Sequence, residues 1–227
     1  MFGGETRRVV AVVGCYGSPV LVAAERLLIR IRQVPSRADE LIDLRERLRQ
    51  AHAEPARSEE QATAREVREH KLRLSAALAS VTSCARCAAG RRWPRGAFDG
   101  GDCCSAVTAD LFSEEEVAAL AQSGTRLRDL RAPRGAHPGC AFRGPTGCTL
   151  HAADRPARCV RYTCNLLRRE LRGRGELAQI DQLRDELQRA MDRFVALRRA
   201  RLDDELLAPL EHALRVARDA GDGSGDT

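Results

Sequence analysis

Residues 84–112 read CARCAAGRRWPRGAFDGGDCCSAVTADLF. Four cysteines, Cys84, Cys87, Cys103 and Cys104, fall within the first 21 residues of the stretch, and the last two are adjacent. Helix-forming patterns lie on both sides of it, so this is where the chain changes character. Gly and Pro gather in GRRWPRGAFDGGD (90–102) and again in APRGAHPG (132–139) and RGPTG (143–147). A loop-rich segment of this kind buries too little apolar surface to be rigid on its own, and the expected staple is a metal or a set of disulfides.

Outward from this stretch the chain reads as mainly α. VPSRADELIDLRERLRQAHA (34–53) opens with Pro35 and Ser36 and sets Leu41, Leu44 and Leu48 on one face. SEEQATAREVREHKLRLSAALASV (58–81) offers Ser58 and Gln61 as a capping box and Val67, Leu74, Leu78 and Val81 as a stripe. The two form an expected N-terminal helical hairpin within residues 1–83. Inside the loop-rich part, Ser113 and Glu116 make a second capping box, and Gly124 ends that helix. After a cysteine-rich module over residues 84–165, helix returns over residues 166–219. Ile180, Leu183, Leu187, Met191, Phe194 and Leu197 form one stripe, and Leu202, Leu206, Leu210 and Leu214 open a last helix. Residues 220–227 read as a flexible tail.

The chain has 227 residues, 43% hydrophobic and 31% charged, with a net charge of +6. Lys71 is the sole lysine, so the positive charge is almost all arginine. Acids and bases are interleaved and aromatics make up 4%, which leaves few stacking platforms for single strands; nucleic acid is not an expected partner. The apolar run over residues 9–29 is interrupted by Pro19, Glu25 and Arg26, so no membrane span is expected. The apolar run ahead of Cys15 is shorter than a signal core, and the expected location is cytoplasmic.

Eight of the nine cysteines, Cys84, Cys87, Cys103, Cys104, Cys140, Cys148, Cys159 and Cys164, lie in the module or at its junction with the next helix; Cys15 stands apart. A CxxC pair directs two thiolates out of one turn, which suits a tetrahedral metal or one face of a cluster. The turn for Cys148 is provided by GPTG, and Cys159 and Cys164 flank an expected helix start behind Pro156. Neighbouring side chains diverge, so Cys103 and Cys104 serve two sites or only one of them is a ligand. From Cys84 to Cys164 there are twelve Arg and eight Asp plus Glu, so 12 − 8 = +4. Two four-thiolate metal sites of about −2 each would offset that excess. His137 and His151 are alternative donors that read more simply as loop histidines. Disulfides would serve an exported chain.

The segment GCTLHAADRPARCVRYTC (147–164), together with the earlier cysteines, resembles the YkgJ-type cysteine-cluster family, described as a zinc- or iron-chelating domain. Cys84, Cys87, Cys103 and Cys104 match its first cluster and Cys140 its middle cysteine. Cys148, Arg155, Pro156 and Cys159 match the last segment, and Cys164 a trailing cysteine. The resemblance covers about a third of the chain and departs from the family in the 15 residues inserted between Cys87 and Cys103. It implies an iron–sulfur cluster, of the 4Fe–4S type among others, or zinc, held by up to eight cysteines. Whether the chain is an enzyme stays open. A redox or radical enzyme would need an open site, with Arg155 as a tuning cation or else a turn-stabilising one. A structural zinc module would instead present a protein-binding face, for which the stripe from Ile180 to Leu197 is a candidate if it is not core. On either reading, metal binding is expected to be part of folding.

Overall fold

The computed structural model describes residues 37–83, 107–133, 140–144 and 147–222. The described chain is mainly helical: α1 (Arg37–Ala53), α2 (Ser58–Ala77), a single turn α3 (Thr108–Leu111), α4 (Glu114–Gln122), α5 (Ala157–Arg161), α6 (Asn165–Gly173) and α7 (Leu177–Asp222). A two-stranded antiparallel ribbon, β1 (Arg143–Gly144) with β2 (Gly147–Cys148), pairs Arg143 with Cys148. Gly147 takes φ +122°, a conformation open to glycine, which lets so short a connection turn back.

The middle helix α4 organises the core. Six consecutive residues, Glu116 to Ala121, are buried, so this helix is enclosed rather than amphipathic. Val117, Leu120 and Ala121 pack with Leu44 and Leu48 of α1, Leu111, Phe112, Leu130, Phe142 and Leu150. Ala118 and Ala119 face the other way, into a second cluster. That cluster holds Val67 and Leu74 of α2, Leu167 and Leu171 of α6, and Ile180, Leu187 and Phe194 of α7. Ser113 caps α4 by accepting from the Glu116 amide, and Gly124 at φ +93° ends it, both as the sequence implies.

The two helices expected as an N-terminal hairpin instead direct their apolar stripes at different partners, α1 toward α4 and α2 toward α7. Ser58 is the first helical residue of α2 rather than its cap; Arg57 holds the cap position without a side-chain bond. Glu59 and Glu60 in the first turn already answer the positive end of the helix. The C-terminal region, expected as two helices, is one helix of 46 residues. Neither Gly nor Pro occurs between Ile180 and Ala208, and Pro209 is accommodated inside the helix. The helix also takes in residues 220–222, assigned to the tail on sequence. Ile180, Leu187, Met191 and Phe194 are buried against α2, so the stripe offered as a partner surface is core. Among the described residues no helix is long and apolar enough to cross a membrane.

Candidate metal centre

Four of the eight candidate ligands, Cys84, Cys87, Cys103 and Cys104, lie outside the described residues, as do Cys15, His137 and the insertion between Cys87 and Cys103. The other four are described, and none of them forms a disulfide. Cys140 sits in the turn that leads into β1, with its carbonyl accepting from the Arg143 amide at 3.1 Å. Cys148 ends β2, in register with Arg143. The ribbon brings these two thiols close enough for their charges to interact. Cys140, Cys148 and Cys159 all pack on the cluster between α1 and α4, whereas Cys164 packs on the cluster between α2 and α7.

Cys159 and Cys164 do not flank the start of one helix. Cys159 lies within α5, and Cys164 is the N-cap of α6, its Sγ accepting from the Leu167 amide at 3.5 Å. Tyr162, which ends α5, and Cys164 itself both have extended torsions. Pro156, with its fixed φ and no N–H to leave unsatisfied, is the N-cap of α5, and the extended Tyr162 ends that helix before α6 begins.

Burial pushes the Cys140 thiol up to about 11, and the nearby Cys148 adds to the shift, while the Phe142 amide and the Thr108 hydroxyl pull the other way. A bound cation is the partner that would reverse this and favour the thiolate. The donors are soft, as zinc and iron–sulfur clusters prefer. In kind, then, the described residues fit such a group. In number they are incomplete: among the described residues no group of three or more His, Cys, Asp or Glu is placed to hold a metal ion.

Described residues on both sides of the stretch 84–106 are tied to elements carrying later cysteines. Glu170 of α6 accepts from the amides of Thr82 and Ser83 at 2.9 and 2.8 Å, on the helix that Cys164 caps. Arg174 adds bonds to the carbonyl and hydroxyl of Ser80. At the other end, Thr108 accepts from the Ala141 amide at 2.9 Å and reaches the Cys140 thiol. The Thr82 and Ser83 hydrogen bonds hold the Glu170 carboxyl down at about 2.

The turn ahead of Cys159 is built from buried polar groups that the sequence did not mark as functional. Lys71, 1% exposed, donates to the carbonyls of Ala153 at 2.6 Å and Arg155 at 2.9 Å. Burial lowers its pKa to about 8 against the pull of Glu116 and Asp154. Glu116 does not close its own capping box. It accepts instead from the amides of Ala157 at 2.7 Å and Arg158 at 3.0 Å, at the start of α5. Burial raises its pKa, and those two amides are the main opposing influence. Asp154 accepts from Thr125 Oγ1 at 2.8 Å and Arg68 at 3.3 Å. Arg155 donates to the Leu150 carbonyl at 2.9 Å, the turn-stabilising role of its two readings. His151 caps the 3-10 turn Ala152–Asp154, accepting from the Ala153 amide. The sequence signal for this set was available in one respect: a single lysine in an arginine-rich chain, placed on the apolar side of α2.

Beside α5 lies a cleft of about 300 Å³ whose lining includes Glu116, Arg158, Arg161 and Met191. No protein-family model, no curated protein and no solved structure matches this chain.

Proposed function

We propose that the chain is a cytoplasmic metal-binding protein in which Cys84, Cys87, Cys103, Cys104, Cys140, Cys148, Cys159 and Cys164 hold an iron–sulfur cluster or zinc. The observation that carries this reading is the anchoring of both ends of the stretch 84–106. Ser83, next to Cys84 in the chain, is bonded to the helix capped by Cys164, and Thr108, four residues after Cys104, is bonded at Cys140. Short tethers at both ends favour convergence of the early and late cysteines. The soft donor set and the resemblance of residues 147–164 to the YkgJ-type family support the same conclusion. Nucleic acid is not a proposed partner.

The test is metal analysis with an absorption spectrum on protein purified without oxygen. Iron with acid-labile sulfide and a visible band identifies a cluster. A colourless protein with stoichiometric zinc identifies the zinc form. Neither metal overturns the proposal. Cys159→Ser is expected to lower metal content, and unchanged content would remove Cys159 from the ligand set.

A second reading, a structural zinc module that binds a protein partner, has one observation in its favour. Leu206, Leu207 and Leu210 are exposed on α7, beyond its packed part. On that reading Leu206→Glu would abolish association and leave metal content unchanged.

A further inference from the structure

The six residues ahead of Cys159 are held by core side chains from two helices. From α2, the Lys71 ammonium bonds the carbonyls of Ala153 and Arg155. From α4, the two oxygens of Glu116 bond the amides of Ala157 and Arg158. Cys159 follows at once, its own amide bonded to the Pro156 carbonyl at 3.0 Å. The ammonium and the carboxylate are almost sealed from solvent, at 1% and 7% exposure. Burying two charges is costly unless each is fully hydrogen-bonded, so an apolar pair would support the fold more simply. What the charged pair adds is direction: two donors and two acceptors meet four backbone groups and leave that backbone one shape.

The residue type points the same way. Lys71 is the one lysine among 38 Lys plus Arg. A compact ammonium reaches two converging carbonyls in a closed site, where the broad, planar guanidinium fork does not fit as readily. Lys71 is also near enough to Cys159 for their charges to interact.

We infer that Lys71 and Glu116 are positioning residues for Cys159, holding its turn in the metal-presenting shape before any metal binds; this rests on the metal-binding reading above. The metal would then meet a preset ligand on this side of the site. Outer partners of metal ligands typically contribute about 10–100-fold in affinity.

The test uses the full chain, reduced and freed of metal without oxygen, titrated with Co(II) and followed by the thiolate-to-cobalt absorption. Lys71→Met and Glu116→Gln, with helix content matching the parent, are expected to weaken cobalt binding by about 10–100-fold. They should also lose the same part of the absorption that Cys159→Ser loses. A parental band and affinity in both variants overturns the inference and leaves the metal reading standing. Absence of any cobalt–thiolate band in the parent overturns both. Amide exchange on the metal-free parent decides the matter even if the variants do not fold. The Ala157 and Arg158 amides are expected to be protected without metal, and exchange at unprotected rates would overturn the preset clamp.

Discussion

Arg201 donates from Nε to Oε1 of Glu60 at 2.9 Å, and neither residue is more than 2% exposed. Arg201 also bonds Glu54 and Glu205, while Arg198 bonds Glu54. The network joins the start of α2 and the end of α1 to the middle of α7, and it holds the Arg201 pKa above its ordinary value. Replacing Arg201 with Ala leaves the Glu60 carboxylate buried without its cation. The expected loss is about 3–5 kcal/mol, read from chemical denaturation, and a loss below about 1 kcal/mol would show the pair to be dispensable.

Cys164 is the N-cap of α6 and a proposed metal ligand, and one substitution separates the two. Serine is a strong N-cap, so Cys164→Ser is expected to keep the bond to the Leu167 amide and to change the stability of the metal-free protein by less than about 1 kcal/mol. Metal content should nevertheless fall. Retained metal with unchanged stability would leave Cys164 a cap and nothing more.

Glu170 predicts a local pH effect. Its folded pKa, about 2, lies below the ordinary value of 4.5 because Thr82 and Ser83 hydrogen-bond its ionised form. The unfolded state therefore binds more protons in this window, and the contribution of the contact falls as pH falls. It is fully present above about pH 4.5 and lost on the way down to about 2. The Ser83 amide resonance should follow that titration, and in Glu170→Gln it should lose the response.

Removal of metal is expected to leave most of the helical circular dichroism intact. The described part of the module is already packed on α1 in an apolar core, with Phe112 and Phe142 at 5.5 Å between ring centroids and Leu44, Leu48, Leu111, Leu130 and Leu150 around them. Cooperative loss of the whole helical signal on chelation would instead show that metal and global fold are one transition.

Burial of Phe194 supplies a check on the α2–α7 packing. It is 0% exposed in the cluster shared by those helices. Phe194→Ala is expected to cost about 3–5 kcal/mol, measured by denaturation. A surface-like effect would contradict this core.

Much was legible in the chain because it is local. Periodic leucines announced the helices, and Ser113 and Gly124 marked the ends of α4 through rules that act within one turn. The soft-donor chemistry of the cysteines is likewise written in residue type. Partner choice was not legible, because a stripe states that a face must be buried and not by what. So α1 and α2 find separate partners, and residues 180–194 are core rather than a docking face. Glu116 shows the distinction most sharply. Its position three residues after Ser113 determined that a carboxylate stands in the first turn of α4. Only the tertiary structure, by enclosing that turn beside the start of α5, decided that its oxygens would meet the amides of Ala157 and Arg158. A buried carboxylate must satisfy its acceptors with whatever donors packing brings near, and packing is a property of the whole chain.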